Sequence, residues 1–176
     1  MTVGPHPGQP PGVTVLVPAG LPILDAARWV GASCWLELTV HQLLTAELAA
    51  PDLDDQGRVV RWRVRAHRAE VAAAWRQRLP ELRELPREGF VAPPADEATI
   101  AGGRWWEPGG AGMAPTGADG IDGIDLTAAL EGLDRRYQAH EAVAVGAADG
   151  PVRATLSRAR ELLAADLRAL GSPAPG

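Results

Sequence analysis

Lysine and asparagine are absent from the 176 residues, so all 17 basic side chains are arginine. An arginine bias this complete follows from a G+C-rich coding sequence, so arginine alone does not signal bidentate recognition of an anion. Acidic residues outnumber basic ones, and the formal charge of −5 excludes a nucleic-acid binder that works through bulk positive charge. With one cysteine, Cys34, the chain has neither an internal disulfide framework nor a cysteine-based zinc site. Cys34 lies in an apolar stretch and reads as a core residue. No apolar run approaches the ~18 residues of a membrane span; the longest candidate is broken by Asp25, Arg28 and Glu37. MTVGPHPGQPPG carries no basic region ahead of an apolar one, so no signal peptide is expected and the cytoplasm is the expected location. Phosphate-loop, dinucleotide-binding and G-x-S-x-G patterns are missing as well.

What is present is an apolar content of 46%, enough for a globular core. The 20 glycines and 16 prolines are concentrated at 1–20, read as an arm, and at 87–123, read as a long crossover loop. Between them the apolar residues follow helical spacing. Pro22 opens a first helix that Pro51 stops near Ala50; a second runs from the acidic turn at 52–57 to about Leu79, before Pro80. PELRELPREGF adds at most a short turn. Asp125 is placed to cap a third helix reaching about Gly146, and Asp149-Gly150-Pro151 starts a fourth that ends near Leu170, with 172–176 as a tail. Two hairpins with short connections, joined by a long crossover, predict an all-α antiparallel four-helix bundle over 21–171.

Following each apolar stripe at steps of three and four brings polar residues inward. The first helix aligns Val30, Cys34, Glu37, His41 and Leu44; the second Val60, Val64, His67, Val71 and Ala74. The third aligns Leu130, Leu133, Tyr137 and His140, and the fourth Leu156, Ala159, Leu163 and Asp166. Three of the four histidines thus project toward the core. A buried polar group without a partner costs roughly 2–7 kcal/mol, so these residues form a satisfied network, bind a metal, or line a wet cavity. The candidate ligands are Glu37, His41, His67, His140, Glu161 and Asp166. Trp29, Trp35, Trp62 and Tyr137 are candidate walls of a small-molecule cavity. Arg58, Arg61, Arg65 and Arg68 form a line on the second helix that reads as a solvated face. Trp105 and Trp106, set in a glycine-rich part of the crossover, read as partner or pocket contacts.

With inward Glu and His at mid-helix, RWVGASCWLELTVHQLL and HRAEVAAAWRQRLPEL, followed by a crossover and a second hairpin, resemble the ferritin-like superfamily, in particular ferritin-like proteins of high-G+C bacteria. The resemblance spans 22–80 and, more loosely, 124–170. It implies Glu37 as the first-helix carboxylate and His67 as a second-helix ligand, with iron or manganese as the cofactor. The departures are specific. A ferritin-like di-iron site needs a Glu from each of two helices and E-x-x-H on each of the other two. E-x-x-H occurs nowhere here; His67 and Glu70 give the reverse. A degenerate site is therefore expected, with no resident metal, in a protein that works by association as a homo-oligomer or with another protein. A metal-dependent oxidase or hydroxylase and a small-molecule-binding bundle are the alternatives.

Overall fold

The computed structural model describes residues 19–49, 51, 53–83, 85–94 and 126–171. Most of the expected arm, the tail, most of the crossover, Trp105, Trp106 and the capping Asp125 lie outside the described residues. Among those described, the chain is all-helical, with α1 at Ile23–Glu47, α2 at Asp55–Arg78, α3 at Leu126–Val143 and α4 at Gly150–Gly171. No described helix is long and apolar enough to cross a membrane. α1 ends at Glu47 and α3 at Val143, each about three residues short of its expected end. Single 3-10 turns form at Arg87–Phe90 and Ala147–Asp149.

The α1–α2 connection is fixed by side chains that satisfy the free backbone groups of two helix ends. Asp54 caps α2, its carboxylate accepting from Gly57 N at 2.5 Å. Arg58 donates to Leu48 O at 2.7 Å and Leu53 O at 3.0 Å, and Arg61 pairs with Glu47 at 2.7 Å. These two arginines were expected on a solvated face. They are half-buried instead, because Arg58 supplies donors to the Leu48 and Leu53 carbonyls and Arg61 pairs with the Glu47 carboxylate.

α1 packs along α2 and α3, and α4 packs along α2 and α3. The shared core contains Val30, Leu36, Val40, Leu44, Val64, Val71, Trp75, Leu130, Leu133, Leu156 and Leu163. The 3-10 turn Arg87–Phe90, inside the expected crossover, closes one end by setting Phe90 against α1. Gly31 makes that approach: a Cβ there would stand 1.9 Å from Phe90 O. In an exposed helix Gly→Ala stabilises by about 1 kcal/mol. Here overpacking reverses the sign, and Gly31→Ala is expected to cost about 1–3 kcal/mol in urea unfolding. A variant more stable than wild type would contradict the contact.

A candidate functional site in the bundle core

Glu37, at mid-α1, is fully buried. Its carboxylate accepts from Arg68 Nη1 at 3.0 and 3.2 Å and, through a very short bond, from Tyr137 Oη. Tyr137 Oη in turn accepts from Trp75 Nε1 at 3.1 Å. The other arm of the guanidinium, Arg68 Nη2, donates to Asp166 Oδ2 at 2.9 Å, and Asp166 Oδ1 meets His67 Nδ1 at 2.8 Å. Glu37 belongs to α1, Arg68, Trp75 and His67 to α2, Tyr137 to α3 and Asp166 to α4. One hydrogen-bonded chain therefore ties all four helices. It reaches the surface only at His67, whose side chain is 24% exposed.

The electrostatics follow from burial. Burial pushes the Glu37 carboxyl up to about 7, while Arg68 and the Tyr137 hydroxyl pull it back down. Burial opposes the charge on Arg68, but Glu37, Tyr137 and Asp166 more than offset it and hold the guanidinium protonated. The Tyr137 phenol is raised well above its ordinary value by burial and by the Glu37 charge. Two carboxylates thus share one permanent cation.

Three expected ligands are elsewhere. His140 is buried, stacked on Trp75 at 5.4 Å and against Trp29 at 5.3 Å, with Nδ1 3.4 Å from Ser33 Oγ. Burial and the nearby Arg136 hold it neutral, its pKa pushed down to about 4. His41 is only half-buried and lines an outer groove between α1 and α2 with Cys34, Leu38, Ala69 and Arg76. Burial, then Arg65, lowers its pKa. The Glu161 side chain is 67% exposed and lies 4.0 Å from Arg158, because its position in α4 faces away from the Leu163 stripe. His41, expected on an inward stripe, and Glu161, a candidate ligand off the Leu163 stripe, are not in the core network.

The aromatic cavity also resolves differently. Tyr137 is fully buried in the network and Trp62 is 61% exposed, so the four residues share no cavity. Trp29 lines a separate cleft of about 750 Å³ with Leu24, Phe90 and Arg136, whose guanidinium sits 3.6 Å over the indole.

Sequence reasoning placed Arg68 in solvent, whereas it is fully buried at the centre. The signal was present: Val64, Arg68, Val71 and Trp75 follow one another at steps of four, three and four. The line through His67 runs one position to the side of the true inward face. Trp75, also missed, lies on the line through Arg68.

These residues do not fit a ferritin-like metal centre. The space between the Glu37 and Asp166 carboxylates holds the Arg68 guanidinium, which uses the oxygens a metal would need. Among the described residues no group of three or more His, Cys, Asp or Glu is placed to hold a metal ion. What the arrangement can do is lock four helices in one register through a buried ion pair and its satellite hydrogen bonds. No family model matches the sequence, and neither a curated protein nor a solved structure matches the chain.

Proposed function

We propose that this chain is a cytoplasmic, non-enzymatic ferritin-like bundle whose degenerate di-iron site is neutralised by its own arginine, and which works by protein association. The observation that carries the reading is the fully buried Arg68 guanidinium bridging Glu37 and Asp166. A metal-dependent oxidase needs an open coordination position and carboxylates available as ligands. Both carboxylates here are engaged by a cation that cannot be deprotonated at physiological pH.

The order of paired residues supports the antiparallel, ferritin-like arrangement. Leu48 meets Arg58, Glu37 meets Arg68 and Cys34 meets Ala72, so contacts climb α2 as they descend α1. The same inverse order links α2 to α4 through Asp166 with His67 and Thr155 with Arg78. Along α1 and α3 it pairs Ser33 with His140 and Glu37 with Tyr137. α2 and α3, which flank the long crossover, then run in the same direction, as an end-to-end crossover requires.

The test is elemental analysis and native mass on protein purified without an affinity tag. The expected result is no stoichiometric metal and a mass above that of one chain. Stoichiometric iron or manganese that disappears in His67→Ala would overturn the reading.

A further inference from the structure

The outward face of α2 carries a second apolar line that the bundle core does not use. Val59, Trp62, Ala66, Ala69 and Ala73 follow at steps of three, four, three and four, and all five are exposed, Val59 by 67% and Trp62 by 61%. Leu38 of α1, 41% exposed, extends the surface across the groove of about 530 Å³ that also contains Ala69 and Ala73. Alternating steps of three and four on a face opposite the core are the spacing of a helix–helix seam. One large aromatic followed by alanines gives that seam a knob and a row of shallow holes.

The charges beside it fit the same surface turned upon itself. Arg63 and Glu70, both exposed, flank the seam on one edge, seven residues apart. Among the described residues Glu70 makes a 3.4 Å contact with Arg158, both side chains exposed. In an antiparallel pair of α2 helices, with a twofold axis beside 66–69, Arg63 stands opposite the partner's Glu70 and Glu70 opposite the partner's Arg63. The layers nearest that axis set Trp62 over the partner's Ala73 and Ala66 against the partner's Ala69, offset by two residues from the exact Arg63–Glu70 pairing, a distance these long side chains span. A twofold axis makes each contact twice, and the large-to-small match and the charge match occur in one register.

We infer that α2 is the seam of a homodimer, in which the outward line Val59–Ala73 packs against the same line of a second copy in antiparallel orientation. This rests on the association reading above and names its partner and its surface.

The experiment is sedimentation equilibrium of the full chain across micromolar concentrations, with circular dichroism to verify unchanged helix content in each variant. Wild type is expected as a dimer. Trp62→Ala is expected to raise the dimer dissociation constant about 100-fold, since it empties the two large aromatic anchors. Arg63→Glu and Glu70→Arg are each expected to raise it about tenfold, and the double variant to recover most of the loss, because reversing both charges restores the match. Substitutions at these exposed positions spare the core, so loss of the dimer is not loss of the fold. A wild type that is monomeric at every concentration overturns the seam, as does a dimer indifferent to Trp62→Ala, or a double variant no better than the singles. A monomeric, metal-free protein would sink this inference and leave the account of the core standing; a metal-loaded dimer dispersed by Trp62→Ala would do the reverse.

Discussion

Arg68→Met is expected to destabilise the protein by about 3–5 kcal/mol, the usual cost of removing one partner of a buried ion pair. Methionine retains the unbranched stem and removes only the charge and donors. Among the described residues Glu37 would then retain the Tyr137 hydroxyl, and Asp166 the His67 ring. In urea, where a chain of this size loses about 2 kcal/mol per molar denaturant, the midpoint would fall by roughly 2 M. Adding Glu37→Gln and Asp166→Asn to Arg68→Met removes the unpaired charges and is expected to recover at least half of the loss. If Arg68→Met costs under about 1 kcal/mol, the guanidinium is not what neutralises the core.

The second large effect is in the pH dependence, where two buried groups pull in opposite directions. His140 has its folded pKa lowered to about 4 from 6.5. On acidification through that window the unfolded chain takes up a proton that the folded chain refuses, so His140 makes stability fall as pH falls. Glu37 has its folded pKa raised to about 7 from 4.5. There the folded chain takes the proton first, so Glu37 makes stability rise as pH falls through the same range. Each effect amounts to about 2–3 kcal/mol, and in the wild type they largely cancel between pH 6.5 and 4.5. Relative to wild type, His140→Phe is expected to gain about 2–3 kcal/mol on going from pH 7 to pH 4.5, and Glu37→Gln to lose a similar amount. Chemical unfolding at a series of pH values reads both slopes. Slopes that match wild type in both variants would mean that neither group shifts on folding.

The helices were legible because their cues are local. Pro22, Asp54 and Pro80 mark ends that the chain observes, and apolar spacing marks the faces. The site was legible only in part, because a step of 100° per residue makes adjacent lines compete. On α2 the line through His67 and the line through Arg68 share Val64 and Val71. Counting apolar residues does not choose between them, and the usual cost of burying arginine argues for the wrong one. The correct line is favoured by Trp75, the largest apolar side chain on the helix interior, and by two carboxylates that need a cation. That second cue is tertiary: Glu37 and Asp166 are 129 positions apart, and nothing in either local segment shows that they share a guanidinium. His41 fell to the same ambiguity in reverse, on a plausible stripe that packing turned outward, whereas Glu161 lies off the Leu163 stripe and is exposed.

The central claim is that the positive charge between Glu37 and Asp166 belongs to the polypeptide. Its most direct test is thermal unfolding of untagged protein by calorimetry, after exhaustive chelation and again with excess ferrous or manganous ion. Binding to the folded state alone would stabilise it in proportion to occupancy. The account predicts one unfolding temperature under both conditions, whereas a fall on chelation that either ion reverses would contradict it.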